Sequence, residues 1–307
     1  MKPRIVVIGS SNTDMIIQAP RIPAPGQTVL GGRFSTAAGG KGANQAVAAA
    51  RAGAQVTLVA RVGDDAFGRQ ALAGFERDHI DTRFVVRDEQ APSGVASIIV
   101  DDHGQNAITV APGANANLSP RDVARAAKAI SAADAVLLQL EIPLDTVRAA
   151  IEIACEQNVR VILNPAPACA LPDEVLKGVD VLTPNEIEAG MLTGSEVGDE
   201  ADAARAAVLL RGRGAGTVIV TLGPRGVIVE GPDHGGYIGA FAVEAVDTTA
   251  AGDVFNGALA VALAEGRALP DACRWACAAA ALSVQCLGAQ PSAPTREAIE
   301  RFLADRS

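Results

Sequence analysis

The chain has 307 residues, 49% of them hydrophobic and 20% charged, with a formal net charge of −9. That content fills one large core, or one core with a small appendage, and excludes a disordered chain. The acidic balance and the lack of any dense Lys/Arg run argue against nucleic acid and toward a small-molecule partner.

Strand-like and helix-like runs alternate along the chain. Residues Met1 to Gly9 enter a short apolar run directly, with too few apolar residues for a secretory signal. No later stretch is long enough to span a bilayer, so a cytoplasmic protein without membrane contact is expected. Met15 to Phe34 break the rhythm with the turn-rich segment Pro20-Arg21-Ile22-Pro23-Ala24-Pro25-Gly26. An alanine-rich helical stretch runs from Val47 to Ala52. Ser93 to Val110 read as two strands around the hairpin signal Asp101-Asp102-His103-Gly104. Ser119-Pro120-Arg121-Asp122 is a helix start before Val123–Ala133. Strand and helix then follow in pairs: Val136–Leu140 with Asp145–Gln157, Arg160–Leu163 with Asp173–Gly178, and Val181–Leu182 with Asn185–Thr193. A helix from Glu200 through Leu210 precedes the strand Val218–Val220, and Val254–Leu263 form a late helix. The alternation predicts a layered α/β fold with a mainly parallel sheet, and the two irregular stretches predict a small β appendage. The five cysteines (Cys155, Cys169, Cys273, Cys277, Cys286) form no CxxC pair. The three histidines lie far from Cys273 and Cys277, so reduced thiols are expected rather than a zinc site.

Two segments carry chemistry. Val246-Asp247-Thr248-Thr249-Ala250-Ala251-Gly252-Asp253 leads into the late helix. The open N–H groups of a helix start, joined to its dipole, attract anions, and Ala250, Ala251 and Gly252 leave room for close approach. Asp253 is either a base beside a bound phosphate or a helix cap. Ala38-Gly39-Gly40-Lys41-Gly42-Ala43-Asn44-Gln45-Ala46 also precedes a helix and puts a cation in its first turn, where it opposes the dipole. Lys41 is either a phosphate partner or a solvated lysine in a flexible loop, and Asn44 and the glycine backbone are suited to sugar hydroxyls. Neither a GxxxxGK[ST] loop nor a GxGxxG fingerprint is present, so nucleotide phosphates must be held by other means.

In order along the chain stand Gly9-Ser10-Ser11-Asn12-Thr13-Asp14, Gly39 to Ala46, Gln139-Leu140-Glu141, Asn164-Pro165-Ala166-Pro167, Thr183-Pro184-Asn185-Glu186-Ile187-Glu188, Thr221-Leu222-Gly223, Val246 to Asp253 and Gly288-Ala289-Gln290-Pro291-Ser292. With these the chain resembles the ribokinase branch of the ribokinase-like (PfkB-type) carbohydrate kinases, nearly end to end. The resemblance implies one kinase domain over 1–307, a three-layer α/β/α fold with a mainly parallel sheet, and a small β-sheet lid contributed by about 12–35 and 91–113 that covers the sugar and joins a homodimer. It implies ATP-dependent phosphorylation of D-ribose at O5. Kinases for 2-deoxyribose, fructose or adenosine, or a sensor without turnover, are the alternatives.

The resemblance also implies roles. Asp253 takes the proton of the acceptor hydroxyl, and Ala250, Ala251 and Gly252 hold the transferring phosphoryl group. Asn12, Thr13, Asp14, Gly40, Lys41, Gly42, Ala43, Asn44 and Glu141 bind the sugar, with Ala96, Ile98 and Val110 packing on it from the lid. Asn185 and the loop Thr221-Leu222-Gly223-Pro224-Arg225-Gly226 serve ATP, with Cys277 near the adenine. Pro224 stands where Ser is expected, and Cys277 where relatives often have Asn or His. Asn185 and Glu188 organise Mg²⁺ through water, and Asp247, Thr249, Ser283, Cys286, Gly288 and Ser292 surround an activating K⁺.

Overall fold

A computed structural model describes residues 2–306. Thirteen strands divide between two sheets. The larger sheet holds β1 (Arg4–Ile8), β4 (Gln55–Gly63), β5 (Asp81–Asp88), β8 (Ala135–Leu138), β9 (Arg160–Leu163), β10 (Val181–Leu182), β11 (Thr217–Thr221), β12 (Val227–Glu230) and β13 (Gly235–Ile238). Its order is β13-β12-β11-β10-β9-β8-β1-β4-β5. All neighbours pair in parallel except β11 with β12 and β12 with β13.

Strand periodicity explains why the sheet is covered on both faces. Successive side chains of a strand point to opposite sides. Ile5 and Val7 of β1 enter one core and Val6 and Ile8 the other, and Leu137 and Leu138 of β8 divide in the same way. The first core is closed by α1 (Lys41–Arg51), α2 (Ala66–Arg77), α9 (Ala251–Ala264), α10 (Leu269–Ser283) and α12 (Arg296–Ala304), with the short α11 (Ala289–Ser292) beside them. The second is closed by α3 (Pro120–Arg125), α4 (Ala127–Ser131), α5 (Leu144–Glu156), α6 (Asp173–Leu176), α7 (Glu186–Thr193) and α8 (Glu200–Gly212). The three-layer reading of the sequence is what the chain adopts. Ser119 starts α3 with a reciprocal capping box to Asp122. The single helix expected over 123–133 is two, because the chain tightens at Ala126, whose N–H bonds back to the Val123 carbonyl at 2.9 Å.

The smaller sheet, in the order β3-β2-β6-β7, is made of β2 (Asn12–Gln18), β3 (Arg33–Gly39), β6 (Gly94–Val100) and β7 (Asn106–Ala111). Asp101 Oδ1 closes the hairpin of β6 and β7 by accepting the N–H groups of His103 and Gln105, each at 2.9 Å. β3 continues past 35 to Gly39 because pairing with β2 runs its full length, from Gln18 opposite Arg33 to Asn12 opposite Gly39. Gly40 then turns the chain at φ 89°, and α1 begins at Lys41, six residues before the helical stretch expected from Val47.

Candidate active site

From β1 the sheet grows toward β4 and β5 on one side and, from β8, toward β9, β10 and β11 on the other. Between β1 and β8 the strand order reverses, and open α/β sheets bind ligands beyond the carboxyl ends of strands at such a point. Several of the predicted residues gather there. Ser10 follows β1 and Glu141 follows β8, and Ser10 Oγ donates to Glu141 Oε2 at 2.6 Å across the gap. Glu141 Oε2 also accepts the Lys41 backbone N–H at 3.1 Å, which ties the start of α1 to the same place. Asn164 follows β9, Thr183 and Asn185 follow β10, and Thr221 ends β11.

A cleft of about 200 Å³ opens over these strand ends. Of the predicted residues, Lys41, Asn185, Glu188, Thr221 and the run Ala250–Asp253 line it. Ala250 is the residue before α9 and sits in the left-handed region at φ 59°. That conformation costs a non-glycine residue about 1–2 kcal/mol, a local strain of the kind found at functional turns. A Cβ placed on Gly252 would meet nothing within 4 Å, so the turn faces open space. Asp253 does not cap α9. It lies inside the first turn, and its carboxylate reaches across to α1, where Oδ2 accepts from Asn44 Nδ2 at 3.0 Å and Oδ1 from Gln45 Nε2 at 2.9 Å. The helices approach this closely because Gly257 has no side chain: a Cβ there would lie 2.7 Å from the Gln45 carbonyl and from Ala48 Cβ.

Charge is concentrated around this contact. Burial pushes the Asp253 carboxyl above its ordinary range, while Lys41 and the amides of Asn44 and Gln45 pull it back down. Burial raises Glu188 too, against its hydrogen bond from Asn185 and the charge of Lys41. Burial alone would lower Lys41, but Asp253, Glu141 and Glu188 hold its ammonium above the ordinary value. The cost of a cation at a helix N-terminus is thereby offset by three carboxylates. Asp14 is pushed up to about 6, first by burial and then by the charges of Glu141 and Asp253.

Asn185 caps α7 and forms a reciprocal capping box with Glu188: Glu188 Oε2 accepts the Asn185 N–H at 2.9 Å, and Asn185 Oδ1 accepts the Glu188 N–H at 2.8 Å. The capping role is real, and Asn185 and Glu188 also line the cleft. In the loop after β11, Leu222 is buried with its side chain in the second core and is not among the residues lining the cleft. Arg225 bonds Glu186 of α7. Cys277 lies in α10, buried in the first core with its thiol pushed up to about 12 by desolvation, and is not part of the cleft lining.

Register in the smaller sheet, the expected lid, carries the remaining predicted positions. Asp14 pairs with Ala37 on one side and Ala96 on the other, and Ala96 pairs with Val110. One row further out, Ile16, Ile98 and Ile108 lie opposite each other. Directly opposed residues share a sheet face, so Asp14, Ala96, Ile98 and Val110 stand together. Asn12, at the root of the lid, accepts from Asn115 Nδ2 at 2.8 Å. A larger cavity of about 390 Å³ behind the lid root includes Asn12 and Thr13 but none of Lys41, Glu141 or Asp253. Asp247 ties down the approach to the turn before α9: Oδ1 accepts the Thr249 N–H at 2.9 Å and Oδ2 the Gly288 N–H at 2.8 Å. Burial raises its carboxyl, but these hydrogen bonds outweigh burial and leave it below the ordinary range. Ser283 and Ser292 donate to the carbonyls of Ala280 and Ala289, and Cys286 is exposed.

Comparison with known proteins identifies the family and the fold. The pattern described as pfkB family carbohydrate kinase matches residues 2–296. The chain belongs to that family. It is 44% identical over 303 residues to a ribokinase of Haemophilus influenzae, covering 99% of both chains. It is 38% identical to a deoxyribokinase of Salmonella typhi, covering 98% of both. The structure of Arabidopsis thaliana ribokinase complexed with ribose and ATP superposes with a TM-score of 0.91 at 33% identity, covering 99% of each chain. Sequence reasoning gave no separate role to Gln45, Asn164 or Asn256. The signal was there for Asn256, an amide three residues after Asp253 in an otherwise apolar helix and therefore on the same helix face.

Proposed function

We propose that the chain transfers the γ-phosphoryl group of ATP to O5 of D-ribose, giving D-ribose 5-phosphate and ADP. The observation that carries this reading is the buried Asp253, held by two amides, beside an open Gly252 turn in the same cleft as Lys41. Asp253 accepts the O5 proton as O5 bonds to phosphorus and the bridging bond to ADP breaks. Its burial-raised pKa makes it a better base than an ordinary aspartate. The first N–H groups of α9 take the phosphoryl oxygens, and Lys41 offsets their charge.

Asn44 Oδ1 is buried without a partner, an acceptor that a sugar hydroxyl would satisfy. Asn12, Asp14 and Glu141 supply further acceptors, and the lid face bearing Ala96, Ile98 and Val110 closes over the sugar and excludes water from the phosphoryl group. Thr221 and the loop to Gly226 lie where the nucleotide extends beyond β11.

Among the described residues no cluster of three or more His, Cys, Asp or Glu side chains could hold a metal ion directly. Glu188 Oε1 and Asn185 fit Mg²⁺ held through water and nucleotide oxygens, and the burial-raised Glu188 carboxyl would be relieved by that charge. When bound, Mg²⁺ neutralises charge on the phosphates. The Asp247 carboxylate and neighbouring backbone carbonyls are hard oxygen donors suited to K⁺, which would order the turn through Asp247, Thr249 and Gly288. Exposed Ile17 and Phe34, paired on the lid face opposite to that of Ala96 and Val110, support a homodimer through that sheet, and the five free thiols support a reducing, cytoplasmic setting.

The competing acceptor is 2-deoxyribose, given the similarity to a deoxyribokinase. ADP release from Mg-ATP is measured with D-ribose, 2-deoxyribose, fructose and adenosine, in K⁺ and with Na⁺ substituted. Ribose-dependent turnover above the others and raised by K⁺ is expected. Preference for another acceptor sinks the ribose assignment, and ligand binding without turnover sinks the kinase.

A further inference from the structure

Four side chains given no contact with a substrate above close a ring on the reacting turn. Gln45 Nε2 donates to Asp253 Oδ1 at 2.9 Å and to Asn164 Oδ1 at 3.1 Å. Asn164 Nδ2 donates to the Thr183 carbonyl at 3.0 Å, and Thr183 Oγ1 donates to Asn256 Oδ1 at 2.6 Å. Asn256 Nδ2 donates to the Gly252 carbonyl at 2.8 Å, and Gly252 is bonded to Asp253. The ring joins α1, the ends of β9 and β10, and the first turn of α9, and every side chain in it is buried.

One further residue fixes its sense. Gln139, at the end of β8, donates Nε2 to Gln45 Oε1 at 2.6 Å. An amide whose oxygen is engaged in this way presents its NH₂ to the other side, where Asp253 and Asn164 both need a donor. Gln45 is fully buried, so a turned amide would set its oxygen against the Asp253 carboxylate with no water to compensate.

We infer that Gln45, oriented by Gln139, is a positioning residue that sets the Asp253 carboxylate against the phosphoryl-holding turn at Gly252. The inference rests on the phosphoryl-transfer reading. Asn44 alone holds one carboxylate oxygen and leaves the group free to swing about that contact, while Gln45 fixes the second oxygen and locks it to the backbone that carries Gly252. The other charged groups facing Asp253 are Lys41 of α1, Glu141 after β8, Asp14 of β2 and Glu188 of α7. They set the charge around the carboxylate, and the ring sets its direction.

Gln45→Met keeps the length of the side chain and removes both donors. Since a misplacement on the order of 1 Å at a reacting centre costs about 100-fold, kcat should fall by about that factor while the sugar KM changes little. The acid limb of kcat should move to higher pH, because the carboxylate loses a donor that favours its charged form. A residue that merely fills the core would lower the melting temperature and leave the limb in place. Gln139→Met leaves both donors on Gln45 but frees its amide to turn, so it should shift kcat and the limb in the same direction by less. It serves if Gln45→Met does not fold.

The Asp253 carboxyl resonance, assigned by its loss in Asp253→Asn, is also titrated by carbon NMR without substrate in wild type and both variants. An upward midpoint in the variants supports the ring. An unmoved kcat and midpoint overturn it. If the wild type phosphorylates none of the sugars, the functional reading fails while the NMR midpoint still decides the ring.

Discussion

Along the floor of the cleft, Asp253, Asn44 and Gln45 are buried and each Asp253 oxygen already has a donor. On the lid, Phe34, Ile108 and Val110 remain 65%, 55% and 45% exposed. The floor is anchored by helices packed on a sheet that is buried on both faces, whereas the lid is a four-stranded sheet whose apolar side chains stay partly in water. The floor therefore stands in its working arrangement before any ligand arrives, which is how fixed dipoles act on a transition state without reorganising. The lid gains its packing partners only when something covers it. Changes to the floor should fall on kcat, and changes at the lid or its root on sugar affinity.

Asp253→Asn tests the floor most severely. It keeps the shape and removes the base, so kcat should drop by about 10²–10⁴-fold while calorimetric ribose affinity stays near wild type. A loss of only a few-fold would move the base elsewhere. Gly252→Ala comes next and separates function from stability. The added methyl meets nothing in the free protein, and alanine is better than glycine in a helix by up to about 1 kcal/mol. The melting temperature should hold or rise. The methyl occupies the space assigned to the phosphoryl group, so kcat/KM for ATP should fall by about 100-fold. Joint loss of stability and activity would make the turn merely structural.

Asn44→Ala sharpens the boundary between floor and lid, because one end of Asn44 holds Asp253 and the other is an acceptor without a partner. Loss of hydrogen bonds worth about 1.5–3 kcal/mol should raise the sugar KM by about 10–100-fold, with a smaller fall in kcat. If kcat alone moved, Asn44 would serve Asp253 and not the sugar.

The regular parts of the molecule were legible in one dimension because burial repeats at the period of the strand or helix. Ile5-Val6-Val7-Ile8 reads as a strand covered on both faces, and Ser119 with Asp122 reads as a capped helix start. The position of the cleft was legible at Gly252 and Asp253, which line it, because small residues before a helix have a direct electrostatic meaning. Contacts between distant segments were not legible. Gln45 looks like any polar residue in an alanine-rich helix, and only the approach of α9, permitted by Gly257, turns it toward Asp253. The inner end of β3, Ala37-Ala38-Gly39, has weak strand propensity and is extended because β2 pairs with it.

The smallest expected effect lies at the root of the lid and depends on pH. Asp14 is raised to about 6 by burial and by the charges of Glu141 and Asp253. A carboxyl raised in the folded state binds its proton more tightly there than in the unfolded chain. Its contribution to stability is therefore lost as pH rises from the ordinary aspartate value toward 6. At neutral pH the ligand-free protein carries an ionised Asp14 at a cost in stability, and that ionised group is the better acceptor for sugar hydroxyls. Ribose affinity, read by calorimetry, should fall as pH is lowered through about 6. Asp14→Asn should bind more weakly at neutral pH, lose that dependence and melt higher without ligand. A limb that survives in Asp14→Asn would belong to Asp253, and the line between an acceptor-binding lid and a catalytic floor would then have to be drawn elsewhere.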